Sequence, residues 1–478
     1  MNFETPQLTP AVPEMFMAGM ACLILVVDLF LSERNRGITH WLTLATLAGA
    51  AILTARLMGE GSVWTFGGMF VADEMAHTLK LILYAITALV LVYSRDYLSD
   101  RQLFRGEYYV LALTGLLGMM IIVSAHNLLV IYLGLELLSL SLYALVAMDR
   151  QSPSASEAGM KYFVLGAIAS GVLLYGMSIL YGVTGTLDIN ELAAYANEAD
   201  ESHIGLAFAL SFVLVGLAFK IGAVPFHMWI PDVYHGAPTS VTLFIGSAPK
   251  IAAFALFMRL LVDGLGGLHE AWQGMVVILA LLSMAVGSFL AIAQTNIKRM
   301  LAYSTITHMG FILMGIMAGT TLGYQAAMFY TVAYVIMASG AFGMVILLSR
   351  QGFEAERIED FKGLNERSPW FAAMMGILMF GMAGVPPLVG FHAKLSVIRA
   401  ALDAGLVWMG VAAVIFAIIS AFYYLRVVKF MYFDQPESEA RIEGRGTMKA
   451  LLSINSLTVL ALGMFPGLLM ALAAHAIS

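Results

Sequence analysis

"LAFKIGAVPFHMWIPDVYHGAP", residues 217–238, decides how this chain is built. It interrupts an apolar run with Lys220, Gly222, Pro225 and His227, and then with Pro231, Asp232 and His235. Proline removes a backbone donor and clashes with the preceding turn, and glycine loosens that turn, so a helix running into this stretch must open. In a bilayer, opened backbone is tolerated only where protein or water meets it. The stretch therefore predicts a broken transmembrane helix with a polar cavity beside Lys220.

A second stretch, "GMAGVPPLVGFHAK" (381–394), repeats the ingredients: G-x-x-P, then Phe391-His392 where the first has Phe226-His227. Lys220 precedes its Phe-His and Lys394 follows it, so the likeness is one of topology more than of alignment. Paired interrupted helices in corresponding positions are the sequence sign of an inverted repeat with its site at the repeat interface.

Composition places both breaks in a membrane. The 478 residues are 60% hydrophobic and 12% charged, with a mean hydropathy of +0.85, far from a soluble surface. The net charge of -6 says little, because placement matters and the sum does not. The single cysteine, Cys22, excludes an internal disulfide, a Cys-ligated iron–sulfur cluster and a CxxCH haem site. The first apolar segment, 8–31, follows Glu4 and is too long for a signal-peptide core, so it reads as a retained span.

At about 20 apolar residues per crossing, the chain divides into fourteen spans: 8–31, 38–58, 74–94, 107–125, 127–148, 157–183, 203–226, 236–262, 270–293, 296–318, 322–349, 369–402, 404–433 and 448–474. The expected class is all-α, polytopic and transmembrane. Odd-numbered connections hold Arg34, Arg36, Arg95, Arg101, Arg105, Arg150, Lys298, Arg299, Arg350, Arg357, Lys362, Arg367, Arg441, Arg445 and Lys449. Even-numbered ones hold only Arg56, Arg259 and Arg399, and the loop 185–203 is acidic. The positive-inside rule then puts both termini outside. The connections 350–368 and 434–446 read as polar linkers. The breaks fall five spans apart, in spans seven and twelve, and an odd number inverts one unit against the other. The expected organisation is a three-span segment at 1–106, one five-helix unit at 107–262, its inverted counterpart at 270–433, and a C-terminal helix at 448–478.

Most charges lie at span ends, where snorkelling makes them cheap. Glu136, Lys220, Lys250 and Lys394 do not. Each costs roughly 2.5 to 3.5 kcal/mol on insertion scales if left in lipid, so they must face protein or water. Carboxylates and lysines at that depth are the groups a proton path requires, since burial penalises their charged forms and each retunes the other. A static Glu136–lysine pair would explain one lysine, not three. Lys161 reads either as a snorkelling lysine or as the mouth of the path. His308, beside Ser304, Thr305 and Thr307, reads as a packing residue or a water-ordering relay, and His227 and His235 as lining a hydrated mouth. Lys80 has no polar company in sequence, and it reads, like Asp28, as snorkelling.

Six ordered stretches carry a family resemblance: "VPEMFMAGMACLILVVDLF" (12–30), "YLGLELLSLSLYALVA" (132–147), "SEAGMKYFVLGAIASGVLLYGMSILYGVTGT" (156–186), "AFKIGAVPFHMWIPDVYHGAPT" (218–239), "SAPKIAAFALFMRLL" (247–261) and "NIKRMLAYSTITHMGF" (296–311). Together they resemble the antiporter-like membrane subunits of bacterial proton-pumping NADH-quinone oxidoreductase, respiratory complex I. The resemblance runs along nearly the whole chain. It implies a fourteen-helix fold with two inverted five-helix repeats and discontinuous helices seven and twelve. It also implies that Glu136 and Lys220 pair as a modulating couple, that Lys250 is the central relay, and that Lys394 loads or releases the proton where some sister subunits use glutamate. His308 matches a helix-ten position filled less uniformly, and Lys161 and His227 stay as further relay or uptake candidates. No cofactor or metal is expected in this chain; FMN and iron–sulfur clusters would sit in partner subunits. The implied partners are the antiporter-like subunit M, the small subunits K and J, the lipid bilayer, and a quinone bound elsewhere in the complex; no nucleic acid is implied. The implied place is a bacterial inner membrane with both termini periplasmic. Two other readings share these charges: a cation/proton antiporter subunit, and a scaffold whose lysines only pin helices.

Overall fold

The computed structural model describes residues 6–198, 204–436 and 446–477. It opens with α1 (Val12–Leu29) and α2 (Gly37–Leu57), a hairpin of β1 (Val63–Thr65) and β2 (Phe70–Ala72), and α3 (Glu74–Asp100). Then come α4 (Gly106–Ser124), α5 (Leu128–Val146), α6 (Pro153–Thr184), the short α7 (Ile189–Glu198), α8 (Ile204–Ile221), α9 (Trp229–Gly236), α10 (Thr239–Ile245) and α11 (Ala248–Phe257). The second half holds α12 (His269–Ile292), α13 (Ile297–Met317), α14 (Thr321–Leu348), α15 (Leu364–Arg367), α16 (Pro369–Ala383), α17 (Val389–Asp403) and α18 (Val407–Phe433), and the chain closes with α19 (Gly446–Met464) and α20 (Gly467–Ala476). Arg441 and Arg445, the 199–203 end of the acidic loop, Glu4 and Ser478 lie outside the described residues. Asp73, Asn127, Ser152, Asn296 and Thr320 each accept a first-turn backbone N–H, satisfying a donor the helix leaves open.

Thirteen helical runs among the described residues are long and apolar enough to cross a membrane. The expected twelfth span is not one of them, because it is two helices of 15 residues, α16 and α17. Counted as one broken crossing, it brings thirteen to fourteen. The two described ends share a face: Thr65 Oγ1 donates to the Gln7 carbonyl at 2.6 Å, and His475 Nε2 lies 3.5 Å from Glu74 at the start of α3. That is the parity an even number of crossings requires. We call it the hairpin face. On the opposite, basic face Arg101 pairs with Glu354 and Lys298 with Glu356.

The two breaks are built alike. α8 ends at Gly222 (φ 85°) and α16 at Gly384 (φ 86°), both in the left-handed region that side chains disfavour. Gly222 and Ala223 return their N–H groups to the Ala218 carbonyl, and Gly384 and Val385 return theirs to Phe380. These C-terminal bonds satisfy carbonyls that would otherwise stand open at membrane depth. Deeper in the first break, Ser283 Oγ accepts the Val224 N–H at 2.9 Å, and Trp229 Nε1 donates to the Phe219 carbonyl at 2.9 Å. A Cβ on Gly384 would also come within 2.9 Å of Lys394 Cδ. We expect Gly384→Ala to destabilise the fold by about 1–2 kcal/mol through its backbone conformation alone. A thermal shift of the purified protein checks this, and an unchanged melting temperature would refute it.

Four expectations need correction. The eighth span is not continuous: Pro249 removes a donor and collides with the preceding turn, so the run opens at Gly246 and Ser247, between α10 and α11. Ser247 Oγ covers the freed Leu243 carbonyl at 2.6 Å. The last span breaks at Pro466 into α19 and α20 for the same reason. The acidic loop carries a helix, α7, which buries Ile189, Leu192 and Ala196. Finally, Lys80 does not snorkel: it is 1% exposed and lies 2.5 Å from Glu14 of α1. Glu14 sits 66 residues away in sequence, so no local pattern shows the pair. Asp28, read with it, accepts a hydrogen bond from Thr39 Oγ1 at 2.6 Å.

Candidate functional site

α5 brings Glu136 to the edge of the bundle, one turn before Ser139 and on a side where Leu133 and Leu140 are exposed. Its Oε1 is buried and has no hydrogen-bond partner. Lys220 lies in the last turn of α8, and its Nζ donates to Ser139 Oγ at 2.8 Å and Ser170 Oγ at 3.1 Å. The expected Glu136–Lys220 ion pair is therefore not closed in this structure; serine hydroxyls hold the ammonium.

Lys250, in the first turn of α11, is 2% exposed. Its Nζ donates to the Ile221 carbonyl at 3.2 Å and lies 5.3 Å above the Trp229 ring. Lys220 and Lys250 line one internal cavity of about 30 Å3 with Ser139, Tyr162 and Trp229. Roughly 10–15 Å3 of such space is enough for a water molecule. Lys394, in α17, is 6% exposed, and its Nζ donates to the Ala383 carbonyl at 2.8 Å.

Lys250 and Lys394 thus share a site type. Lys250 sits on the last carbonyl of α8, and Lys394 on the last carbonyl of α16. The negative end of a helix dipole favours a cation there, which makes an ammonium bearable at depth without a carboxylate. By placement the counterpart of Lys394 is therefore Lys250, whereas sequence order suggests Lys220.

His308 is buried in α13, with its ring nitrogens 2.8 Å from Tyr330 OH and 2.9 Å from Tyr424 OH. Ser304 Oγ meets Tyr424 OH at 2.5 Å, and Tyr334 OH donates to Thr305 Oγ1 at 2.8 Å. The cluster reaches Lys394 through aromatic rings: Lys394 Nζ lies 5.3 Å from the Phe311 ring, which stacks on Tyr330. Lys161 stands apart, paired with Glu157 at 2.9 Å and Asp232 at 2.8 Å, and Asp232 also binds Arg299 at 2.8 Å. His227 is half-buried in the link between α8 and α9, and His235 lies 3.9 Å from Glu356.

Two buried cations read from sequence as loop or span-edge charges lie inside. Lys298 is 2% exposed, at the start of a helix buried nearly throughout its length. Arg259 is 4% exposed in a π-helical turn, Met258–Gly264, bound to Asp73 at 2.8 Å and Asp263 at 3.0 Å. The sequence sign for Lys298 was Asn296: an N-cap there puts Lys298 within the first turn. Among the described residues no group of His, Cys, Asp and Glu side chains could hold a metal ion.

Broken helices that place lysines on half-helix ends, in a fourteen-span fold, define an antiporter-like membrane protein. The chain belongs to the family described as NADH:quinone oxidoreductase/Mrp antiporter, TM, which matches residues 125–420. It is 63% identical to NADH-quinone oxidoreductase subunit N of Thioalkalivibrio sulfidiphilus over 479 residues, covering 100% of both chains. It is 56% identical to the same-named protein of Nitrosomonas europaea over 477 residues, covering 100% of this chain and 99% of that one. A chain of respiratory complex I from Thermus thermophilus superposes with a TM-score of 0.83 at 31% identity, over 97% of this chain and 99% of that one. A chain of the Mrp complex from Dietzia shares the fold, with a TM-score of 0.85 at 23% identity over 98% and 97% of the two chains.

Proposed function

We propose that this chain is a proton-translocating membrane subunit of an NADH-quinone oxidoreductase, in the position of subunit N. Lys250 is its central relay, Lys220 and Glu136 the couple that retunes it, and Lys394 the group that loads or releases the proton. The observation that carries this reading is the shared cavity: the Lys220 and Lys250 ammonium groups line one space with room for water. Moving a proton against the field costs about 2.3 kcal/mol per 100 mV. In this reading the driving energy arrives through neighbouring membrane subunits, of the kinds named M, K and J. FMN, iron–sulfur clusters and the quinone belong to other subunits in this reading. The basic face lies in the cytoplasm and both termini in the periplasm of a bacterial inner membrane, as the placement of loop lysines and arginines supports.

The open Glu136–Lys220 geometry is one position of a switch, and closing the pair would hold Lys220 charged. Glu136→Gln removes the switch while keeping the side-chain shape. In the assembled complex it is expected to lower quinone-linked turnover and proton pumping together by about tenfold, less than the roughly 10²–10⁴-fold of a group that hands over the proton itself, because Glu136 only retunes Lys220. Full pumping in that variant would sink the couple. The second reading, a cation/proton antiporter subunit, rests on the shared fold with the Mrp complex. Sodium-dependent proton exchange by the reconstituted protein, without any dehydrogenase subunit, would favour it.

A further inference from the structure

The basic face has a polar cavity of about 180 Å3, walled by Tyr97, Arg101, His235, Glu354 and Glu356, with Lys298 in its lining. Lys298 is nine-tenths buried, and its Nζ donates to Glu356 Oε1 at 3.0 Å and to the Ala237 carbonyl at 2.9 Å. Ala237 caps α9, the outer half of the broken seventh span. Glu356 is 32% exposed, so one end of the pair meets the cavity and the other meets the bundle.

Glu356 comes from the 350–357 connection of the second unit, and its backbone is fixed to the start of α13 in that same unit. The Ile297 N–H donates to the Glu356 carbonyl at 2.6 Å, and Ile358 N–H to Thr295 at 2.9 Å. Two residues earlier, Glu354 accepts from Tyr97 OH at 3.0 Å and from Thr239 Oγ1 at the start of α10. Inward from Lys298, hydroxyls follow. Thr305 lies two turns further along α13, about 10 Å at 1.5 Å per residue. Tyr334 OH bonds Thr305 at 2.8 Å and the Gly246 carbonyl at 3.3 Å, and Tyr234 OH points to the Ile245 carbonyl at 3.5 Å. Those two carbonyls are the break in the eighth span, one turn from Lys250.

We propose that the Lys298–Glu356 pair is the proton-uptake site on the basic face, feeding Lys250 through the Thr305, Tyr334 and Tyr234 hydroxyls. This rests on the proton-translocating reading above. In each cycle the Lys298 ammonium gives one proton inward; its N–H bond breaks and a neutral amine remains. The Glu356 carboxylate then takes a proton from cavity water, the hydroxide left behind being reprotonated from the solvent on that face, and passes it to the amine to re-form that N–H, so that Glu356 returns to its anion. Because Glu354 of the same connection binds Thr239 of the first unit, uptake into that unit is open only while the 350–357 connection stays docked.

The test uses the assembled complex in inverted membrane vesicles, with NADH:ferricyanide reduction measuring assembly. Glu356→Gln is expected to leave assembly intact and to slow quinone-linked turnover and acidification by about a hundredfold, the low end for loss of one proton-transferring group. The solvent isotope effect on turnover should rise, because uptake becomes limiting, and Glu356→Asp should recover most of the rate. A purely structural pair would not move the isotope effect. Wild-type rates and isotope effect in Glu356→Gln, with Lys250→Met inactive, would overturn this inference alone. Full activity in both would overturn the proton-translocating reading itself. If Glu356→Gln lowers assembly, Tyr334→Phe interrogates the same path: undiminished turnover with an unchanged isotope effect there overturns it.

Discussion

A complex carrying Lys250→Met is expected to assemble normally and to lose quinone-linked turnover and proton pumping by at least about tenfold, a barrier rise of roughly 1.4 kcal/mol or more. Methionine has nearly the length of lysine and adapts to irregular space, so the contact with Trp229 and the fill of the small cavity survive. What goes is the titratable ammonium that shares a cavity with Lys220 and lies one turn from the break in the eighth span. The Ile221 carbonyl loses its donor, a penalty of about 1–3 kcal/mol that a protein of this size tolerates. Lys250→Arg sharpens the result. A guanidinium keeps the charge at the α8 terminus but does not release its proton, so a relay fails with arginine while a static electrostatic role survives. Pumping and NADH:quinone turnover measured side by side decide between them. Normal rates in Lys250→Met would remove this lysine from the path.

Arg259→Met should act on assembly instead of on chemistry. Arg259 ties three elements together: its Nη2 binds Asp73, the N-cap of α3; its Nη1 binds Asp263; and its Nε donates to the Val123 carbonyl at the end of α4 at 3.1 Å. Removing one partner of a buried pair costs about 3–5 kcal/mol, because the remaining charge is left uncompensated. Asp263 is 34% exposed and can recover hydration, which puts the expected loss near the lower end. The measurement is the amount and melting temperature of intact complex in the membrane. Asp73→Asn on the same background should restore part of the loss, since it removes the orphaned charge. Equal stability of Arg259→Met and wild type would mean the cluster is better solvated than its burial indicates.

Much of the site was legible because membrane depth makes polar residues conspicuous. Glu136, Lys220, Lys250 and Lys394 stand out against apolar runs, and Gly222, Pro225, Pro386 and Pro387 mark both broken helices without any structure. Lys80, Arg259 and Lys298 were misread for one shared reason. Each lies near a span end, where a snorkelling lysine or arginine and a buried, paired one look identical along the chain. Their partners are 66, 186 and 58 positions away: Glu14, Asp73 and Glu356.

By itself, the amino-acid sequence determined the membrane class, the fourteen crossings, the two breaks and the four deep ionisable residues. Hydropathy, proline and glycine act locally, and a charge in a twenty-residue apolar run needs no neighbour to be seen. Only the tertiary structure decided where each charge is held. It set Lys220 on serines in place of Glu136, Lys250 and Lys394 on the carbonyl ends of half-helices, and Lys298 at the floor of the basic-face cavity. Those placements depend on which carbonyl or carboxylate lies within about 3 Å of an ammonium, a distance set by helices that meet only in the folded chain.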